Sequence, residues 1–195
     1  EVSKKIAQDS LILLKNDGVL PIKKGTKIAV IGPHADSLRY PVSGYTYPAY
    51  IEMMDAGRKN SAAVTFNGIA DEQAKAEKEK APKGPFDTLF DMLDEEDVKQ
   101  LDDMNGVLRT LHTRSLKEVL SDRFETVYAQ GCDIIGTSED GFSDVVKAAN
   151  ESDVVVMALG GNCGWVNVTG GEGKDRQSLE LPGVQEKLLE TVAAT

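Results

Sequence analysis

The chain is predicted to fold as an α/β protein, a three-layer α/β/α sandwich around a mostly parallel sheet, on three observations. Lys27-Ile28-Ala29-Val30-Ile31-Gly32 and Asp153-Val154-Val155-Val156-Met157-Ala158-Leu159-Gly160 are short runs apolar on both faces, as strands covered by helices on either side require. Helical patterns alternate with these runs, which favours parallel pairing. At 195 residues, 41% hydrophobic and 28% charged, the composition is that of a globular chain long enough for one sizeable core.

Each element has its own warrant. Val2 to Asn16 carries Ile6, Ala7, Ser10, Leu11, Leu13 and Leu14 at helical spacing, and Asp17-Gly18 supplies a stop. Leu20-Pro21-Ile22 reads as extended, and Gly25 turns the chain into the first buried strand. Gly44-Tyr45-Thr46-Tyr47-Pro48 is expected to be a loop. Ser115 followed by Glu118 has the spacing of a capping box, so a short helix should start there. Glu125 to Gly131 is a further strand, and Asp140-Gly141-Phe142 opens a helix through Val145, Val146 and Ala149. Pro182-Gly183 leads into a helix from Val184 to Ala194, with Val184, Leu188, Leu189 and Val192 on one side.

Between about 50 and 113 the character changes. Asp87 to Asp103 holds eight acids and one base, in clusters such as Asp94-Glu95-Glu96-Asp97 that lack the alternating ligands and glycine of a calcium loop. This stretch reads as a solvated helical insertion within one domain spanning 1–195.

Composition also excludes. The longest apolar runs fall far short of the roughly 20 residues needed to span a bilayer. Thirty-two acidic against 22 basic residues give a net charge of −10, which disfavours nucleic acid and anionic lipid. Two cysteines cannot make a disulfide framework, and two histidines leave little for a His-rich metal site. Cys132 and Cys163 are expected to be free, buried thiols. The chain begins Glu1-Val2-Ser3 without a signal-peptide pattern and resembles a piece of something longer. Its compartment is left open among periplasm, extracellular medium and cytoplasm.

In parallel sheets, sites form beyond the carboxyl ends of strands. The richest such loop follows Gly160: Gly161-Asn162-Cys163-Gly164-Trp165-Val166-Asn167-Val168-Thr169-Gly170-Gly171-Glu172-Gly173-Lys174-Asp175-Arg176. It contains neither G-x-G-x-x-G nor G-x-x-x-x-G-K-[ST], which argues against a phosphate cradle. Two readings remain at this level. One is a structural glycine-rich loop pinned by Asp175 and Arg176; the other makes Glu172 a functional acid beside an aromatic platform. His34 reads as a hydrogen-bonding loop residue. Asn167-Val168-Thr169 and Asn150-Glu151-Ser152 match the glycosylation sequon, a pattern short enough to recur by chance.

A resemblance decides between them. Ser10-Leu11-Ile12-Leu13-Leu14-Lys15-Asn16-Asp17-Gly18-Val19-Leu20-Pro21-Ile22 followed by Lys27-Ile28-Ala29-Val30-Ile31-Gly32-Pro33-His34-Ala35-Asp36 resembles the opening of the second domain of family 3 glycoside hydrolases. Gly131-Cys132-Asp133-Ile134 is similar to a short signature of that domain. Gly171-Glu172-Gly173-Lys174-Asp175-Arg176-Gln177-Ser178-Leu179-Glu180-Leu181-Pro182-Gly183-Val184-Gln185 resembles its catalytic loop and following helix. The blocks occur in the family's order; the segment 50–113 departs from the family pattern.

The resemblance implies a retaining, exo-acting β-glycosidase, a β-glucosidase or β-xylosidase, acting on a β-linked gluco- or xylo-configured saccharide. It implies that an Asp nucleophile belongs to an N-terminal (β/α)8 barrel of the same polypeptide, and that this domain supplies the general acid/base. On the same resemblance, no metal or other cofactor is expected. Retaining hydrolysis needs two carboxyl groups roughly 5–5.5 Å apart, one attacking and one protonating the leaving oxygen. By loop position Glu172 is the expected acid/base; Glu180, between Leu179 and Leu181, reads as solvated or capping. Tyr45 stands where relatives present a ring to the leaving-group sugar, and Trp165 has the same chemistry; each also fits a plain packing role. Asp175 and Arg176 resemble the family's loop-holding pair. The competing reading is a non-catalytic module that binds carbohydrate or a partner and buttresses the barrel.

Overall fold

The computed structural model describes residues 1–42, 44–59, 99, 103–166, 168–171 and 175–195. Among the described residues the chain builds a parallel sheet of three strands, β1 (Lys27–Ile31), β2 (Glu125–Ala129) and β3 (Val154–Met157), in the order β2-β1-β3. Lys27 pairs in register with Glu125, and Ile28 with Thr126 and Val154. Six helices among the described residues complete the chain order: α1 (Val2–Asp9), α2 (Tyr47–Lys59), α3 (Met104–Thr110), α4 (Leu116–Ser121), α5 (Phe142–Asn150) and α6 (Gln185–Ala193).

β1 is central because its sequence suits neither edge. Ile28, Ala29, Val30 and Ile31 are all fully buried. Successive side chains point to opposite faces. Ala29 and Ile31 therefore pack with Ala129, Val145, Ala148 and Leu188, beneath α5 and α6. Ile28 and Val30 pack on the other face with Ala35, Leu120 and Phe124, at and beside α4. This is the three-layer α/β/α arrangement expected from the continuously apolar runs.

The α4 helix begins as its spacing predicts. Ser115 Oγ accepts from the Glu118 N–H, and the Glu118 carboxylate accepts from the Ser115 N–H at 2.8 Å. Ser115 also donates to Asp36 Oδ1 at 2.7 Å, and Lys117 pairs with Asp36, which ties α4 to the segment after β1.

Several boundaries differ from the sequence reading. α1 ends at Asp9 rather than Asn16. Ser10 Oγ turns back to the Ala7 carbonyl, and Leu11, Ile12, Leu13 and Leu14 are all exposed, so no surface among the described residues holds the apolar stripe helical. Asn16 Oδ1 instead accepts from the Gly18 and Leu20 N–H groups, forming a side-chain-anchored turn. Residues 44–48 are not wholly loop: α2 starts at Tyr47, with Pro48 in the first turn, where its missing N–H costs no hydrogen bond. Most of the acidic stretch, including Asp94-Glu95-Glu96-Asp97, lies outside the described residues. α2 and α3, which bracket it, meet through Ile51, Met54 and Met104.

No helix among the described residues is long and apolar enough to cross a membrane. Cys132 and Cys163 are free, but only Cys132 is buried. Cys163 is exposed because its segment runs over the surface beyond β3, which corrects the expectation of two buried thiols.

Candidate functional site

Parallel pairing brings the carboxyl ends of all three strands to one edge of the sheet. At Gly32 the chain leaves β1 with φ +115°, and a Cβ there would lie 2.4 Å from the Ala158 carbonyl oxygen. Only glycine lets the segments after β1 and β3 run this close. The His34 N–H then donates to the Ala158 carbonyl at 3.2 Å. The His34 ring packs edge-on against Tyr40 at 5.1 Å between centroids, and its buried Nε2 has no hydrogen-bond partner among the described residues. His34 thus hydrogen-bonds in this loop through its backbone, while its ring packs against Tyr40.

Two loops cross this edge. The first carries Tyr45, whose backbone sits at φ +55° and whose side chain is 76% exposed. A bulky residue in the left-handed region costs on the order of 1–3 kcal/mol, and such positions cluster at ligand-contacting sites. The second loop, after β3, carries Trp165. The two rings meet in a T-shaped pair, 5.1 Å between centroids and 76° between planes. Tyr45 and Trp165, weighed separately in the sequence, thus form one aromatic surface.

Below the rings the loops are fastened by Arg39, which is 8% exposed. Its Nε and Nη2 both reach Glu52 Oε2 of α2, at 3.0 and 2.9 Å. Nη1 donates to the Val42 carbonyl at 2.6 Å, and Nη2 to the Cys163 carbonyl at 3.4 Å. Burial raises the Glu52 pKa above the usual carboxylate range, and the Arg39 guanidinium opposes that rise. Nearby, burial and the Glu52 charge push the Tyr40 phenol up.

The root of the second loop is held by Gln185, which is fully buried at the start of α6. Its Nε2 donates to the Ile134 and Gly160 carbonyls, each at 2.8 Å, and its Oε1 accepts from the Gly160 N–H at 2.8 Å. One amide therefore ties α6 to the segments following both β2 and β3. Farther along, Thr169 Oγ1 accepts from the Asn162 N–H and donates to the Asn162 carbonyl.

Glu172, with Gly173 and Lys174, lies outside the described residues, as does Asn167. Asp175 and Arg176, immediately beyond, are exposed. Arg176 donates to the Glu180 carbonyl, a contact to backbone within its own segment. Two clefts of ≈ 350 and ≈ 370 Å³ share Thr169 and Arg176; Asp175 lines the first, Tyr40 and Cys163 the second.

Sequence reasoning passed over Arg39, Glu52 and Gln185 as site-forming groups. Gln185 had a signal: it lies on the apolar stripe with Leu188 and Val192, and an amide there must find buried partners. Arg39 and Glu52, 13 residues apart across a turn, carried none.

The sheet edge and its glycine-rich loop coincide with a family pattern. The model of the glycosyl hydrolase family 3 C-terminal domain matches residues 11–195. The chain belongs to this family. Among curated relatives, a β-xylosidase of Formosa agariphila is 40% identical over 80 residues, covering 41% of this chain and 10% of that protein. A probable exo-1,4-β-xylosidase of Aspergillus flavus is 24% identical over 193 residues, covering 99% of this chain and 17% of its own length. A periplasmic β-glucosidase of Salmonella typhimurium is 25% identical over 195 residues, covering 99% of this chain and 20% of its own length. The chain thus spans a fifth or less of these relatives. A solved family 3 exo-β-xylosidase, in complex with a xylobiose aziridine activity-based probe, superposes with a TM-score of 0.59 at 20% identity. That match covers 99% of this family 3 domain and 17% of the solved chain, and it establishes a shared fold.

Proposed function

We propose that this domain is part of a retaining, exo-acting β-glycosidase, a β-glucosidase or β-xylosidase, in which it completes an active site begun by an N-terminal (β/α)8 barrel of the same polypeptide. The observation that carries the reading is the Tyr45–Trp165 ring pair, displayed at the carboxyl edge of the sheet on a strained backbone. Aromatic faces suit the apolar faces of sugar rings, and the exposed Tyr45 fits the leaving-group sugar. The residues 1–195 act as a single domain, with 50–113 inserted into it.

Glu172 is assigned as general acid/base. It sits between Gly171 and Gly173 in the glycine-rich loop, close in sequence to the Trp165 ring. It would protonate the departing glycosidic oxygen while the barrel's Asp attacks the anomeric carbon. It would then take a proton from the water that releases the sugar. This dual role requires a carboxyl whose pKa lies near the working pH, raised by its surroundings in the closed site. Asp175 and Arg176 hold the loop. No metal is used in this scheme: two carboxyl groups supply both the nucleophile and the proton.

The experiment compares hydrolysis of aryl β-glucoside and aryl β-xyloside by the full-length protein and by residues 1–195 alone. The full-length protein is expected to turn over one or both, and the isolated chain neither. Robust turnover by the isolated chain would overturn the shared-site reading. An inactive full-length protein that still binds xylobiose or cellobiose would support a non-catalytic carbohydrate-binding module instead.

A further inference from the structure

We propose that Arg39 is a positioning residue for this site, and that with Glu52 it sets the arrangement in which the Tyr45 and Trp165 rings meet. The inference rests on the reading of those rings as a sugar platform, but ring placement can be measured without any sugar.

The geometry is that of a three-way clamp. Val42, whose carbonyl Arg39 binds, lies three residues before Tyr45; Cys163, whose carbonyl it also binds, lies two residues before Trp165. The third arm is the Glu52 carboxylate of α2. A guanidinium presents planar donors in several directions at once, which a lysine ammonium on a flexible stem does not reproduce. The loop is shaped to admit the clamp: a Cβ at Gly164 would lie 2.7 Å from Arg39 Nη2. The pair is also interdependent. Arg39 is nearly buried and Glu52 half-buried, so removing either leaves a charge in a poorly hydrated place.

The clamp gives the segment around α2 a part in the site. Ile51 and Met54 of α2 pack with Met104 of α3, while Glu52 of the same helix reaches the loops. α2, which precedes the acidic stretch and packs on α3 beyond it, thereby anchors the rings through one carboxylate.

Trp165 is the chain's single tryptophan, so fluorescence of the 195-residue protein excited beyond the absorption of its five tyrosines reports this ring alone. Arg39→Met, Arg39→Lys and Glu52→Gln should each raise acrylamide quenching of Trp165 and shift its emission, with Arg39→Lys smallest and far-UV circular dichroism unchanged. Arg39→Met combined with Tyr45→Ala should change quenching by less than the sum of the single effects, since both perturb one contact. If folded Arg39→Met and Glu52→Gln leave Trp165 emission and quenching at wild-type values, the positioning role is wrong. Should Arg39→Met fail to fold, Glu52→Gln and Arg39→Lys carry the same test. In the full-length enzyme, Arg39→Lys should raise KM roughly two- to tenfold, the equivalent of one aromatic contact, with kcat nearly kept. Altered quenching with unchanged KM would sustain the clamp and overturn the sugar-platform reading beneath it.

Discussion

Replacing Gln185 is expected to destabilise the domain more than any surface change. Its amide makes three hydrogen bonds of 2.8 Å with no solvent access. In Gln185→Ala, the Gly160 N–H and the Ile134 and Gly160 carbonyls lose these partners, and a cavity replaces the side chain. A buried polar group left unpaired costs about 1–3 kcal/mol and a large-to-small core change a few more, so with partial relaxation the loss should be about 3–5 kcal/mol. At roughly 2–4 °C per kcal/mol for a chain of this size, Tm should fall by about 6–20 °C.

Gln185→Glu sharpens the test. The new group still accepts from the Gly160 N–H, but as a carboxylate it faces two carbonyl oxygens in a buried site. Only its protonated form donates to one of them. Its pKa in the folded state is therefore raised above the unfolded value, and the folded state holds more protons between the two. Stability must then fall as pH rises through that interval. Urea denaturation of both variants at pH 5 and pH 8, against wild type, provides the assay. A Gln185→Ala cost below about 1 kcal/mol, or a Gln185→Glu deficit no larger at pH 8 than at pH 5, would contradict this role for Gln185.

Further predictions concern the frame around the site. Glu118, which accepts from Arg109 and from the Ser115 N–H, has its pKa lowered to about 2. Its contribution to stability is present above the ordinary glutamate pKa and is lost as pH falls through about 2, and NMR titration of its side chain should show a midpoint near that value. A midpoint near 4.5 would contradict the pairing. Ser115→Ala removes the α4 cap and the buried partner of Asp36, and should cost about 1–3 kcal/mol by chemical denaturation. Gly32→Ala would bring a Cβ to 2.4 Å from the Ala158 oxygen at φ +115°, so a loss of at least about 2 kcal/mol is expected. Wild-type stability would mean that the segments after β1 and β3 do not approach as described.

The sheet was legible because burial on both faces leaves a continuous apolar run, and Lys27–Ile31 and Val154–Met157 each stand between turn-forming glycines or acids. The α4 cap was legible because its whole mechanism lies within Ser115 to Glu118. α1 was read too long because periodicity shows an apolar stripe without showing whether anything covers it; Leu11 to Leu14 have no cover among the described residues. Tyr47 was read as loop because Pro48 breaks a helix interior yet suits a first turn. Tyr45 was legible through resemblance and Trp165 as the aromatic residue of the loop after Gly160, but their meeting, and the Arg39–Glu52 clamp that joins their loops, depend on segments 120 residues apart in sequence being folded together. Glu172 was singled out in the same way, and its role calls for chemistry rather than geometry to test it.

That test is the leaving-group dependence of Glu172→Gly in the full-length protein, measured with and without azide. If Glu172 is the general acid/base, turnover should collapse for poor leaving groups. It should be largely kept for a dinitrophenyl glycoside in its first step, and azide should restore overall turnover by yielding the β-glycosyl azide. Turnover of poor-leaving-group substrates at the wild-type rate, with no azide product, would contradict the assignment and leave the loop a structural role.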